Sequence, residues 1–392
     1  MKTNIGVFFG GRSTEHEISI ISASQAMHAI NKDKYDITPI YITKNGKWYT
    51  GAGLLDVANY RDIPKLLNQC VEVYMRPIHG DYNLYKVKKS LFGTDVITKL
   101  DVAIPVLHGS NGEDGTFEGI LESIEIPYAG CNTLSSANGM DKITMKMILK
   151  ACEIPVVDYV WFSDKQWYSQ KEELIETIET NLGYPVIIKP ANLGSSVGIS
   201  KARSREDLIN SIDTAEMYST RIIVEHMIEN LQEINCSVLG DCDEYTTSVL
   251  EEPIKSGDFL SYEDKYMGGT KGNKGMQASQ KRIPADLTDE VSNRIKYLAG
   301  ETFRVLSCHG VSRVDMIIDK DTNDIYVNEI NTIPGSLSFY LWEATGISFD
   351  KLMDKLVSLA LKRHREAQNK TVSYDHNIFS LGGGIKGSKG VK

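Results

Sequence analysis

Val311-Ser312-Arg313-Val314-Asp315-Met316-Ile317-Ile318 is followed, after Asp321-Thr322-Asn323-Asp324, by Ile325-Tyr326-Val327-Asn328-Glu329-Ile330-Asn331-Thr332-Ile333-Pro334-Gly335. Two strand-like runs flank a turn rich in Asp and Asn, which predicts a β-hairpin. Residues two apart on a strand share a face, so Arg313 pairs with Asp315 on one strand and Glu329 with Asn331 on the next. If the hairpin closes, one sheet face carries Asp315, Glu329 and Asn331 together. Such an all-oxygen cluster suits a hard cation, Mg²⁺ above all, bridging ATP phosphates. Arg313 adds a planar donor fork for phosphate oxygens. A solvated strand face explains any one of these residues; four together, running into the Pro-Gly turn, point to chemistry.

Working outward, residues 231–370 form the third of three units and contain helical segments at 288–306 and 349–364. Upstream, residues 5–9 read as a buried strand ending at Gly10-Gly11. Thr14 and Glu17 have capping-box spacing, which predicts a helix from there to Ala29. Strands at 38–42 and 102–107 complete a β-α-β pattern, the mark of a parallel sheet with helices on its faces. This first unit spans residues 1–130. The middle unit, 131–230, has a helix at 135–151, strands at 185–189 and 221–225, and a helix at 204–215. Residues 371–392, polar and Gly-rich, read as a flexible tail. The fold class is therefore α/β.

Gly194-Ser195-Ser196-Val197-Gly198 lies between two strand-like runs, where its backbone N–H groups and hydroxyls can cradle an anion. Lys189 precedes it at the end of an apolar strand. Gly10-Gly11-Arg12-Ser13-Thr14-Glu15 lacks the Gly-x-Gly-x-x-Gly spacing of a dinucleotide fold. The second strand ends in Thr43-Lys44 where a ribose-binding acid is expected, which argues against an NAD dehydrogenase. His108 to Thr116 forms a polar, glycine-rich loop at the C-terminal end of a strand, where α/β sheets bind ligands.

The chain has 392 residues, 41% of them hydrophobic, and a net charge of −9. The acidic balance argues against a general nucleic-acid binder. No apolar stretch approaches the ~18 residues of a membrane span, and residues 5–9 are too short for a signal peptide. Six cysteines without Cys-x-x-Cys spacing fit a reducing cytosol, so a cytoplasmic protein is expected.

Taken in order, these segments resemble the D-alanine–D-alanine ligase family of the ATP-grasp superfamily, over about residues 1–365. The matching motifs are residues 10–19, 108–116, Met140-Asp141-Lys142, residues 188–198, Glu225, Glu233, Lys265-Tyr266, residues 313–315 and 329–335. The resemblance implies a three-domain architecture: an N-terminal Rossmann-like substrate-binding domain, then central and C-terminal domains that grip ATP. Lys142 and Lys189 match lysines that bind ATP phosphates, Ser195 and Ser196 the phosphate loop, and Glu225 and Glu233 the adenine and ribose ends. Asp315, Glu329 and Asn331 match the ligands of Mg²⁺, for which Mn²⁺ is the expected substitute. Glu15, linked to Ser195 and Tyr266, matches the carboxylate that holds the first substrate's amino group. His108 and Glu113 are further substrate-binding candidates. Lys265 and Tyr266 belong to a closing loop around residues 255–281. Tyr266 stands where depsipeptide-forming relatives carry His, which implies an amine nucleophile. Arg313 and the Gly335 N–H match the groups that stabilise the tetrahedral intermediate. The family's small hydroxyl for the second substrate's carboxylate is replaced by Tyr340, with Ser336 or Ser338 as the alternative donors. The implied reaction joins two small amino acids, with ATP consumed and a homodimer as candidate assembly. A different second amino acid, another carboxylate–amine pair, or a non-catalytic nucleotide binder are the competing readings.

Overall fold

The computed structural model describes residues 2–88, 94–194, 197–254 and 281–373. Ser195, Ser196, Lys265, Tyr266, nearly all of the expected closing loop and most of the tail lie outside them.

The chain opens with β1 (Thr3–Gly10), α1 (His16–Ala29), β2 (Tyr35–Ile42) and β3 (Trp48–Thr50). Next come α2 (Ile63–Leu67), β4 (Val71–Met75), β5 (Asn83–Lys86), β6 (Val96–Lys99) and β7 (Val102–Val106). These strands form a seven-stranded sheet in the order β6-β5-β4-β3-β2-β1-β7. The expected parallel pairing holds only where β1 meets β2 and β7. From β2 outward the sheet is antiparallel. Gly10 closes β1 at φ +94°, where a Cβ would lie 2.3 Å from the Ile42 carbonyl oxygen; only glycine fits.

The cap expected at Thr14, with Glu17 as its partner, is taken one residue later. Helix α1 starts at His16, with Glu15 at the cap position and no side-chain cap bond. Glu17 pairs instead with Lys44 (2.6 Å), which leaves Glu15 at the end of β1, beside the 108–113 loop.

Helices α3 (Thr116–Ile124), α4 (Thr133–Met140) and α5 (Lys142–Ala151) follow. The single helix expected at 135–151 is broken at Asp141, whose backbone is extended and whose side-chain Oδ1 caps α5 by accepting from Thr144 N (2.8 Å). The Asp is a helix start, and it puts Lys142 in the first turn of α5.

The second sheet runs β10-β9-β11-β8, built from β8 (Tyr159–Ser163), β9 (Val186–Pro190), β10 (Ser200–Ala202) and β11 (Arg221–His226). Helices α6 (Asp164–Ser169), α7 (Lys171–Asn181) and α8 (Arg205–Ala215) accompany it. The third sheet, in the order β14-β13-β12-β15-β16, comprises β12 (Leu231–Gly240), β13 (Tyr245–Pro253), β14 (Lys281–Arg282), β15 (Gly310–Asp319) and β16 (Ile325–Asn331). Helix α9 (Asp289–Val305) packs on it, and α10 (Phe339–Ala344) and α11 (Phe349–Gln368) end the described chain.

Two core clusters cross sequence boundaries. Met145 and Leu149 of α5 are buried with Cys236, Phe303 and Val314 of the third sheet and its helix. Leu352, Met353 and Leu356 of α11 are buried with Ile5, Val7 and Met27 of the first unit. The last helix thus anchors the third sheet to the first. Among the described residues, no helix is long and apolar enough to cross a membrane.

Candidate active site

The hairpin β15–β16 closes as expected. Arg313 lies opposite Asn331 and Asp315 opposite Glu329. Arg313 grips Asp315 with two parallel hydrogen bonds, from Nε (2.6 Å) and Nη2 (2.7 Å). Asn331 Nδ2 donates to the same carboxylate (3.0 Å). Burial raises the Asp315 pKa, Arg313 opposes that shift, and the Glu329 charge adds to it. Two oxygen-rich side chains of like charge held side by side are a donor set that a hard cation relieves.

Lys142 reaches this hairpin from the first turn of α5. Its Nζ lies 3.3 Å from Glu329 and donates to the Leu193 carbonyl (2.8 Å), just ahead of the Gly-Ser loop. Lys189, on β9, donates to Glu225 (2.8 Å) and Asn328 (3.2 Å), linking the second sheet to the third. Glu225 is buried and faces a second lysine, Lys146, at 3.3 Å. Burial alone would raise its pKa, but the two ammonium groups overcome this and pull it down to about 2. Lys146 was not anticipated; its place one helical turn after Lys142 was the available signal. Glu233 lies on β12, two residues before Asn235 and on the same face.

At the other end, Glu15, His108 and Glu113 bring ligand-capable atoms within 4.8 Å of one another. Glu113 is buried and accepts from Gly109 N (2.9 Å) and Ile333 N (3.1 Å). Burial, reinforced by the Glu15 charge, pushes its carboxyl up to about 8. His108 Nδ1 faces the Ile333 carbonyl (2.9 Å), so it must be the protonated nitrogen, and Nε2 then accepts from the Ser22 hydroxyl (2.9 Å). Both ring nitrogens are committed to protein, and burial lowers the ring's pKa. His108 thereby staples the 108–113 loop to the Pro-Gly turn.

That turn differs from expectation as well. Ser336, Leu337 and Ser338 adopt φ near +50°, a conformation costing ~1–2 kcal/mol per residue. Ser336 N donates to Ser22 Oγ (2.9 Å) and Leu337 N to the Pro334 carbonyl (2.8 Å). Ser338 is fully buried, and its hydroxyl has no hydrogen-bond partner within the protein. A Cβ at Gly335 would meet no atom within 4 Å, so the backbone there is open. Phe339 stacks on Phe349, and Trp342 is buried with Nε1 donating to Ser237 Oγ (3.0 Å); both are packing residues. Tyr340 donates its phenol proton to Glu251 (2.9 Å). In this structure that proton is engaged with the protein.

Comparison with known proteins agrees with this arrangement. The D-ala D-ala ligase N-terminus family profile matches residues 4–131, and the D-ala D-ala ligase C-terminus profile residues 148–358. A D-alanine–D-alanine ligase of Caldicellulosiruptor bescii is 44% identical over 95% of this chain and 98% of its own. That of Thermosipho melanesiensis is 41% identical over 96% and 98%. Among solved structures, the VanG D-Ala:D-Ser ligase of Enterococcus faecalis superposes with a TM-score of 0.78 at 35% identity, covering 92% of this chain and all of that one. The D-alanine–D-alanine ligase of Coxiella burnetii gives 0.76 at 29% identity, over 94% and 96%. Lysines converging on a carboxylate hairpin, in this fold and among these relatives, define an ATP-dependent ligase. The chain belongs to the D-alanine–D-alanine ligase family of the ATP-grasp superfamily, whose products are D-alanine-type dipeptides.

Proposed function

We propose that the protein joins two molecules of D-alanine, at the expense of ATP, for peptidoglycan synthesis in the cytoplasm. The observation that carries this reading is the hairpin itself: Asp315, Glu329 and Asn331 on one face, with Arg313 and Lys142 in contact with them. The choice of D-alanine follows the relatives at 41% and 44% identity. D-serine as second substrate is the competing reading, favoured by the VanG likeness.

In this reading the three sheets belong to a Rossmann-like N-terminal domain (1–130) and the two halves of an ATP grip (131–230 and 231–370), and the chain works as a homodimer. Asp315, Glu329 and Asn331 hold Mg²⁺, which when bound neutralises phosphoryl charge. Lys142, Lys189 and the Ser195–Ser196 loop orient the triphosphate. Glu225, which also holds Lys189, and Glu233 meet the adenine and ribose ends of the nucleotide. Glu15, with Glu113 beneath it, receives the ammonium of the first amino acid. The carboxylate of that amino acid attacks the γ-phosphorus of ATP, and ADP leaves. The second amino group then attacks the acyl carbon and phosphate departs. Arg313 and the Gly335 N–H stabilise the oxyanion between these events. Lys265 and Tyr266 close over the site and keep water from the acyl phosphate.

The test is product mass after incubation with ATP and Mg²⁺, given D-alanine alone or D-alanine with D-serine. D-alanyl-D-alanine with one phosphate released per dipeptide is the expected result. Exclusive formation of the mixed dipeptide would favour D-serine, and no dipeptide from either mixture would refute both.

A further inference from the structure

The hairpin's polar face continues across the sheet. Glu329 on β16 lies opposite Asp315 on β15, Asp315 opposite Asn235 on β12, and Asn235 opposite Glu251 on β13. Directly opposed residues share a face, so four strands each place one polar side chain in a single row. One end of the row is the proposed metal and phosphate site. The other end is Glu251, 1% exposed, and nothing in the ligase chemistry described above uses it.

Glu251 is saturated with donors. Its Oε2 accepts from the Tyr340 phenol (2.9 Å) and from Asn235 Nδ2 (3.1 Å), and its Oε1 from Lys281 Nζ (2.8 Å). The Lys281 ammonium also lies 4.1 Å from the centre of the Tyr340 ring, a cation–π contact. Tyr340 and Asn235 spend protons on Glu251. Lys281 has three N–H groups, and its side chain is 33% exposed where that of Glu251 is 1%. With the partly exposed Tyr340 ring, it is a member of the cluster that a solute can reach, and the one that carries positive charge. The Glu251 charge and Tyr340 keep it protonated, raising its pKa against the effect of burial.

A free amino acid acting as nucleophile must leave its own carboxylate somewhere, and a buried carboxylate without donors is costly. We propose that Lys281 is the charged contact for the carboxylate of the second amino acid, and that Glu251 is the positioning residue that holds it there. The assignment rests on the ligase reading above. It places the two amino acids along the row, the activated one beside Arg313 and the acceptor toward Glu251. Tyr340 then acts as a platform under the ammonium.

The test uses the full-length protein with ATP and Mg²⁺, and initial rates fitted for separate first-site and second-site KM values. Lys281→Met is expected to raise the second-site KM at least tenfold while the KM values for ATP and the first amino acid move less than threefold. Lys281→Arg, which keeps the charge, should recover most of the loss. Glu251→Gln should move the same constant, and the double variant Lys281→Met/Glu251→Gln should be no worse than Lys281→Met alone. A second-site KM within twofold of wild type in Lys281→Met, or an equal rise in all three constants, overturns the assignment of Lys281. Additive effects in the double variant overturn the positioning role of Glu251. Wild-type protein that makes no dipeptide overturns the D-alanine reading itself, a result distinct from wild-type turnover with an unmoved constant.

Discussion

Glu225→Gln should unfold the second sheet more easily at neutral pH than at pH 9. In the native protein this carboxylate sits between Lys146, fully buried, and Lys189, 6% exposed. An amide occupies the same volume without charge, so two ammonium groups remain in a dry site. Breaking a buried ion pair from one side costs about 3–5 kcal/mol. Burial already lowers the Lys146 pKa, and the Glu225 charge is the largest force opposing that shift. Without it Lys146 gives up its proton in the folded state but keeps it when unfolded, up to about pH 10. The folded variant then binds about one proton fewer than the unfolded chain, so its stability rises by ~1.4 kcal/mol per pH unit. The deficit against wild type should be largest near pH 7 and shrink toward pH 9. Urea titrations at both pH values measure it, by circular dichroism and by fluorescence of Trp167, which is buried in the same core. A deficit that grows with pH, or a transition unmoved at pH 7, would refute the reasoning.

Asp315→Asn and Glu329→Gln should leave the fold intact and nearly abolish turnover, checked by circular dichroism and phosphate release; full activity of either, or of wild type in excess EDTA, would remove the metal assignment. Glu113, with its folded pKa near 8 against an ordinary value near ~4.3, favours folding below the ordinary value, and that advantage is lost as pH rises through 8. Ligand-free wild type should therefore lose stability between about pH 5 and 8, relative to Glu113→Gln, by up to ~1.4 kcal/mol per pH unit; parallel melting curves for the two would contradict this. Gly194→Ala would put a Cβ 3.0 Å from Glu15 Oε1 and should raise the KM of the first amino acid severalfold with that for ATP little changed, as read from the same kinetics.

How much of this was legible depended on whether the signal was local. The β15–β16 hairpin was readable because alternation and a four-residue turn specify it within one short stretch, but the register shift between Asp315 and Met316 that sets Asp315 opposite Glu329 left no mark in the alternation. Helix α9 was readable for the same reason, its cap Thr288 accepting from Val291 N (3.3 Å). The start of α1 was misread because Glu17 has a stronger partner in Lys44, a residue that only the tertiary fold brings near. The break at Asp141 was misread because hydrophobic spacing continued through it, although Asp before a helical run is itself a start signal. The antiparallel half of the first sheet was missed because its short strands carry little periodicity of their own.

The site divides along the same line. Residues on one hairpin could be grouped from spacing alone, whereas Glu251 and Asn235 join them only through pairing across β12 and β13. Tyr340 shows the limit most directly. Its position in the run after the Pro-Gly turn suggested a contact with the second substrate's carboxylate; in the fold the Arg313 charge acts on it. A position, however, does not say where a hydroxyl proton goes. A phenol has one proton, and a buried carboxylate at 2.9 Å claims it, so the donor that the sequence suggests for substrate donates to the protein instead and offers its ring as a surface. The donor role then passes to Lys281, which sequence reasoning placed only at the far end of a loop. Its distance from the hairpin along the chain hid it, and the pairing of β14 with β13 brings it back.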